Sequence, residues 1–523
     1  MSTFDAIMAA FGLVFEPYVL MVIALSALYG LFVGAIPGLT ATMATALLVP
    51  VTFFMAPVPA VAAIVTATAM AIFSGDIPSA LLRMPGTPAS AAYTDEAFLI
   101  TKSGRPELAL GAGLVFSVLG GIFGVIVLIV AAPVLAEIAL KFSSFEYFWL
   151  VMLGFTCAIF IAGNDPLKGL VSLLLGLLIS CVGLDNPAGA PRWTFGSAEL
   201  TGGISLIPLM IGMFAISEVL RFAVATDKPV MAVERPFGNV FAGMWGLLKR
   251  YPVQLLRGSA LGTAVGALPG AGADIAAWMS YAMSKKFSKE PEKFGTGHIE
   301  GIIESGAANN AALGGAWIPA LVFGIPGDSI TAIAIGVLYM KNMNPGPTLF
   351  VNNPQNIYAV LIVFILAQLL MLPFGWMAIK VAKQVLRIPA AVLMPLILLF
   401  CIVGSFAINN SMFGVIVMGV AGVAAFYMER WGFPVAPTIL GVVLGTLLEE
   451  HFFSSLVKSD GNVLAFFDRP IACGLGVLTM QNSRISGINT AAGMRSTCLA
   501  TLIAIQPKGS ISSCARMKTM NTA

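Results

Sequence analysis

The sequence predicts an all-α polytopic membrane protein of roughly 10–12 transmembrane helices, with inverted repeats, re-entrant hairpins and broken helices. Three observations predict it. Hydrophobic residues make up 58% of the 523 and charged residues only 10%. A soluble domain carries roughly 25% charged residues, so this chain has too little polar surface to face water all round. Apolar runs of about 20 residues, the length that crosses a bilayer, recur along the chain at 112–132, 145–162, 357–379 and 412–428. Glycine (54) and proline (31) are abundant within such runs, as in membrane helices that are interrupted where neighbouring groups can satisfy the freed backbone.

The same numbers exclude several classes. A net charge of +3 with no dense basic run argues against nucleic acid as a partner. The six cysteines form no CxxC pair and there are two histidines, which argues against Cys/His metal sites. No Gly-Lys dipeptide occurs, so there is no Walker A loop. His451 beside Glu449 and Glu450 resembles HExxH only superficially, because the second histidine is missing. His298 reads as a solvated loop residue. With no nucleophile–base pair or metal cluster arguable, the chain is not read as an enzyme.

Taken from the N-terminus, residues 1–20 lack the basic region and cleavage site of a signal peptide and read as a short interfacial helix leading into the first span. An internal repeat follows. Residues 33–41 read VGAIPGLTA and 265–273 read VGALPGAGA, an offset of 232; 84–91 read MPGTPASA and 325–332 read IPGDSITA, an offset of 241. Two matched pairs in the same order define a first membrane repeat over 18–220 and a second over 258–470. A cytoplasmic connecting loop (221–257) joins them, and a polar tail (471–523) follows.

Loop charges orient the copies. Arg221, Lys228, Arg235, Lys249, Arg250 and Arg257 cluster in one stretch, and Lys285, Lys286, Lys289 and Lys293 in another. By the positive-inside rule both are cytoplasmic. The segment between them, 258–284, is too short for two spans of about 20 residues and is broken at Pro269-Gly270, so a re-entrant hairpin fits it. Residues 50–59, after the equivalent break in copy one, carry no Lys or Arg. After the second break the asymmetry reverses. Lys102 and Arg105 follow it in copy one, whereas 342–355 in copy two have no basic residue beyond Lys341. Each copy starts on the side where the other ends, the inverted layout of secondary transporters.

Broken helices leave backbone groups unpaired. Free N–H groups at a half-helix start attract carboxylates, and free C=O groups at a half-helix end bind cations. The candidate substrate- and cation-binding residues therefore lie at four breaks: Pro37, Gly38 and Thr40; Pro85, Gly86, Thr87 and Ser90; Pro269, Gly270, Gly272 and Asp274; and Pro326, Gly327, Asp328, Ser329 and Thr331. Hydroxyls beside free carbonyls make a sodium shell near Thr87, Ser90, Asp328 and Ser329. Asp328 reads equally as a helix N-cap, and Asp76 as a cap alone. Asn309 and Asn310 either hydrogen-bond a substrate carboxylate or tie helices together. Arg83 either pairs with an anion or snorkels to the interface.

The stretches GLFVGAIPGLTATMATALLVPVTF (30–53) and GTAVGALPGAGADIAAWMSYAMSKKFSKEPEKFGTGHIEGIIESGAANNAALGGAWIPALVFGIPGDSITAI (262–333) resemble the large membrane subunit (TctA) of the tripartite tricarboxylate transporter family. The resemblance runs from about residue 18 to residue 470. It implies a permease working with a small membrane subunit (TctB-like) and a periplasmic substrate-binding protein (TctC-like) in the bacterial inner membrane. It also implies uptake of citrate-like tricarboxylates or other organic carboxylates, driven by a gradient of Na⁺ or H⁺ and needing no bound cofactor. The alternatives are a stand-alone cation/carboxylate symporter and a channel. There are two departures. FSGDIPSAL (73–81) stands where such proteins often have a YGGSI-like stretch. After 469–471 the chain turns polar without helical periodicity, reading as disordered or as the product of an altered reading frame, with a final span left open.

Overall fold

The computed structural model describes residues 3–36, 39–161, 165–184, 186, 189–224, 237–269, 272–386 and 390–485. Among these the chain is helical throughout, in two compact units: Met1–Phe142 with Leu206–Trp431, and Ser143–Ser205 with Gly432–Ala523.

The chain begins with α1 (Thr3–Val14), then α2 (Pro17–Gly34), α3 (Ala41–Thr52), α4 (Pro57–Ser74), α5 (Asp76–Leu82), α6 (Thr94–Lys102) and α7 (Pro106–Ala139). Proline opens α2, α4 and α7, where its missing N–H belongs to a turn that has no intrahelical acceptor. In the second unit lie α8 (Ser144–Ile161) and α9 (Pro166–Ser180). The first unit resumes with Leu206–Val224 and continues through α10 (Pro252–Gly266), α11 (Gly272–Phe287), α12 (Ile299–Phe323), α13 (Ser329–Met340) and α14 (Pro354–Val385). The helices Ala390–Asn409 and Met412–Arg430 complete it. The second unit closes with α15 (Val435–Lys458) and α16 (Pro470–Ile485).

Among the described residues, seven helices are long and apolar enough to cross a bilayer. The length rule finds fewer than the sequence expectation because the breaks cut other apolar segments short. Ala41–Thr52 and Ser329–Met340 have 12 residues each, about 18 Å at 1.5 Å per residue. Large apolar side chains are exposed in stripes, as on α7 at Ile126, Val130, Val134 and Ile138. That four-residue spacing lines one helix face, a face suited to lipid.

Two helices form the centre of the first unit. The apolar window of Pro57–Leu82 is wholly buried, and α12 is buried from Glu300 to Val322. Small residues allow this. A Cβ on Gly30 or Gly34 of α2 would collide with the backbone of Ala67 or Ala71 on α4. A Cβ on Gly262 or Gly266 of α10 would collide with Ala308 or Ala312 on α12. Shifts of 232 and 241 residues, the offsets of the sequence repeat, carry the first set of contacts onto the second. Gly120 and Gly124 of α7 meet Ala307 and Ala311 of α12 in the same way. Without a hydrophobic drive between helices in lipid, such close backbone approach and its dispersion energy supply the association.

In the second unit, α15 packs on α8 and α9. The backbone of Leu173 lies 2.5 Å from where a Cβ on Gly441 would sit. A buried bidentate pair, Arg192 to Glu449 at 2.9 and 2.7 Å, ties the chain near Gly183 to α15. The polar tail expected from residue 471 begins as a helix, α16. Its buried face is Ala472, Gly476 and Thr479, spaced as one helix face but made of small residues. A periodicity search keyed to large apolar side chains cannot see that face. Gly476 lies against the rings of Phe467 and Trp149. Residues 486–523 of the tail lie outside the described residues.

Candidate functional site

The two central helices end in the same way. Arg83 and Gly324 terminate α5 and α12 in the left-handed region, at φ 58° and 69°. Met84 N–H then bonds to Pro78 O at 3.4 Å, and Ile325 N–H to Pro319 O at 3.2 Å. Each pair of equivalents is 241 residues apart. The Pro-Gly breaks follow. Gly86 lies against Gly75, and Gly327 against Ala316, each so close that a Cβ would come within 2.5–2.7 Å of a backbone Cα. Glycine at these points lets the broken segment lie on the helix it has just left.

Both half-helices then start with a reciprocal cap. Thr331 N–H donates to Asp328 Oδ1 at 2.7 Å, and Asp328 N–H donates to Thr331 Oγ1 at 2.9 Å. In copy one, Ser90 N–H donates to Thr87 Oγ1 and Thr87 N–H donates to Ser90 Oγ, both at 3.1 Å. Four of the five hydroxyl and carboxyl residues predicted at these breaks, all but Ser329, are thus engaged in capping boxes. Ser329 is half-buried in the first turn of α13. Thr40 caps α3 by accepting from Met43 N–H at 3.2 Å.

The hairpin of copy two reaches both half-helix starts. Asp274 Oδ1 accepts from Ala89 N–H at 3.1 Å, and Trp278 Nε1 donates to Pro88 O at 3.3 Å. Gly272, at φ 58°, stands where a Cβ would be 2.7 Å from Cβ of Asp328. Asp274 is exposed and Asp328 half-buried, so two carboxyl groups and the two capped starts share an accessible region. Pro85 is exposed and Pro269 half-buried. Pro326 is buried. Pro37, Gly38 and Gly270 lie outside the described residues.

The pairing is crosswise: α3 packs on α13, α11 on the turn Ser90–Tyr93, α12 on α7 and α4 on α14. Two residues that sequence reasoning passed over secure it. Glu96 of α6, fully buried, accepts from Tyr281 Oη at 2.8 Å and from the N–H groups of Gly295, Gly297 and His298. It thereby holds the loop between α11 and α12. Lys341, after α13, donates to the carbonyls of Phe53 and Met55 at 2.8 and 2.6 Å and holds the loop between α3 and α4. The Glu96 clamp corrects the reading of His298. Its side chain is 10% exposed and lies 3.2 Å from Glu300, because Glu96 pulls the loop down.

Other predicted residues go elsewhere. Arg83 pairs with Asp95 at 2.8 Å with both side chains 61% exposed, an arrangement worth little. Asn310 is buried with both amide atoms unpartnered. Asn309 donates to Tyr93 Oη at 3.3 Å, and Tyr93 Oη donates to Asp76 Oδ1 at 2.6 Å. Asp76 does not cap its helix: Gly75 holds that position.

Residues 20–440 match the Tripartite tricarboxylate transporter TctA family. The chain belongs to that family. One relative, an uncharacterized 52.8 kDa protein in the TAR-I ttuC' 3' region of Agrobacterium vitis, is 34% identical over 448 residues, covering 86% of this chain and 89% of its own. A second, an uncharacterized protein in the TAR-II ttuC' 3' region of Agrobacterium vitis, is 35% identical over 214 residues, covering 41% of this chain and 88% of its own. No solved structure matches. The chain is therefore a TctA family membrane transporter component. The paired breaks lie within the matched region, and so does every candidate site residue of this TctA member.

Proposed function

We propose that this chain is the large permease subunit of a binding-protein-dependent secondary importer of tricarboxylates or other organic carboxylates. A cation gradient, Na⁺ or H⁺, drives it. Its partners are a small membrane subunit and a periplasmic binding protein, and its place is the bacterial inner membrane. The observation that carries the reading is the meeting of the α11 tip with both half-helix starts, through Asp274 at Ala89 and Gly272 at Asp328. A site that presents carboxylates cannot take an anionic substrate unless a cation neutralises them first. That order of binding is symport. The crosswise packing and the loop charges support an inverted repeat, in which the hairpin tips open the shared region to one side and then to the other.

The test is uptake of labelled di- and tricarboxylates into proteoliposomes, with and without the two candidate partners, under an imposed Na⁺ or H⁺ gradient. Uptake that needs the binding protein and a gradient supports the reading. Uptake by the chain alone assigns a stand-alone symporter. Flux that ignores both gradients assigns a channel.

A further inference from the structure

Beside the hairpin region lies a second polar group that the capping boxes do not use. Asp76, Tyr93 and Asn309 come from α5, the turn Ser90–Tyr93 and α12, and all three are at most 5% exposed. Tyr93 Oη links them, donating to Asp76 Oδ1 at 2.6 Å and accepting from Asn309 Nδ2 at 3.3 Å. Asp76 Oδ2 and Asn309 Oδ1 have no partner. Both are acceptors, so a hydrogen is missing from the cluster as it stands. Room is kept at Oδ2 by Gly113 of α7, where a Cβ would come to 3.4 Å.

No basic side chain faces the carboxylate among the described residues. On α5, Arg83 is engaged by Asp95 of α6, and Glu96 of α6 is engaged by the loop at 295–298. On α12, Glu304 pairs with Arg257 and Glu300 bonds to Gln254, Ser288 and His298. On α7, Glu107 accepts from Gly238 N–H. The buried face of α4 against α5 carries only hydroxyls and apolar groups. An unpaired carboxylate so deep in an apolar protein is costly.

The internal repeat supplies a control. The shift of 241 residues carries Asp76 onto Trp317, Tyr93 onto Ala334 and Thr68 onto Asn309. Copy two builds the same helix end, the same break and the same cap with no carboxylate at that position. The fold does not require Asp76.

We propose that Asp76, held by Tyr93, whose hydroxyl also takes the Asn309 amide, is a proton-binding site of the transport cycle. The step is a simple transfer. A proton from the higher-proton side bonds to Asp76 Oδ2, neutralising the buried carboxylate and turning an unpartnered acceptor into a donor, and leaves again on the other side. Nothing is oxidised or reduced. The inference rests on the proposed symport function, and names the residue through which a proton gradient acts.

The experiment uses the full chain, with its partner proteins where uptake requires them, in proteoliposomes. Two measurements are made on wild type, Asp76→Asn and Tyr93→Phe. The first is the pH-difference infrared spectrum in the carboxylic-acid region, which needs no substrate and no transport. The second compares carboxylate counterflow with accumulation driven by a pH gradient alone. Asp76→Asn imitates the protonated carboxyl. It is expected to lose one titrating carboxyl band and at least ten-fold of gradient-driven accumulation, while counterflow stays within about two-fold. Tyr93→Phe is expected to keep the band and displace its titration by about one pH unit or more, the equivalent of a hydrogen bond to a charged group. It serves alone if Asp76→Asn does not fold. An unchanged band in Asp76→Asn, an unmoved titration in Tyr93→Phe, or wild-type accumulation by Asp76→Asn overturns the proposal. Accumulation that follows Na⁺ and ignores the pH gradient overturns it too. If no carboxylate moves in any form while the infrared band behaves as expected, the symport function has failed and the proton site stands.

Discussion

Asp328 caps α13, and substitution can separate that cap from the transport role proposed for its charge. Asparagine caps a helix about as well as aspartate, and alanine does not. Asp328→Asn should therefore unfold within about 0.5 kcal/mol of wild type, while Asp328→Ala loses about 1–2 kcal/mol with its cap; thermal unfolding in detergent measures the difference. Both variants should lose cation-driven uptake if the charge serves transport. Full uptake by Asp328→Asn would reduce the residue to a cap. Glu96 makes a complementary case. Its carboxylate is the acceptor for one hydroxyl and three backbone N–H groups, and a buried donor left without a partner costs about 1–3 kcal/mol. Glu96→Ala should lower stability by about 3 kcal/mol or more and open residues 288–298 to limited proteolysis, whereas Glu96→Gln should recover part of the loss. The Pro-Gly breaks and their hydroxyls were legible because such residues stand out in an apolar run. Glu96 and the Tyr93–Asn309 bond were not, because those partners lie about 200 residues away and nothing local marks an acid or a phenol as theirs.

At the scale of elements, the glycines of α2 and α10 decide how closely the broken helices approach the central ones. A Cβ on Gly30 would come to 2.8 Å of Ala67 Cα, and one on Gly262 to 2.6 Å of Ala308 Cα. The obstruction is backbone in both cases and cannot swing aside. Gly30→Ala and Gly262→Ala should each cost about 1–3 kcal/mol through overpacking. Gly419, which would meet nothing within 4 Å, is the control, and Gly419→Ala should be neutral or slightly stabilising because alanine favours the helix. Equal losses at the two matched glycines, measured as detergent melting temperatures, would show that the copies rely on the same contact; a loss at one alone would break the equivalence. The repeat itself was legible from two nine- and eight-residue matches. The contacts it encodes were not, because a glycine reports what it lacks and leaves its neighbour unnamed. The same blindness hid α16, whose buried face of Ala472, Gly476 and Thr479 carries no large apolar residue.

For the whole molecule, the side each loop faces decides how the two copies are oriented. Lys341 holds the loop after α3, and Glu96 holds the loop after α11. One clamp donates to free carbonyls at the end of a half-helix, and the other accepts from the N–H groups of a glycine-rich turn. Each copy thus secures the hairpin of the other, as expected when two copies are related by a two-fold axis. Whether that axis lies in the membrane plane is a separate question, and loop charge answers it only through the positive-inside rule. Phe54, 78% exposed in the loop after α3, and Lys289, beyond α11, are the two reporters. With the native cysteines replaced, Phe54→Cys should react with a membrane-impermeant maleimide added to intact cells, and Lys289→Cys should react only after the membrane is opened. That outcome places the two hairpins on opposite sides and makes the repeat inverted, so that one rocking motion can close one hairpin region as it opens the other. Reaction of both from the same side would make the copies parallel. The crosswise clamps would then be a packing device alone, and the alternating-access mechanism built on them would fall.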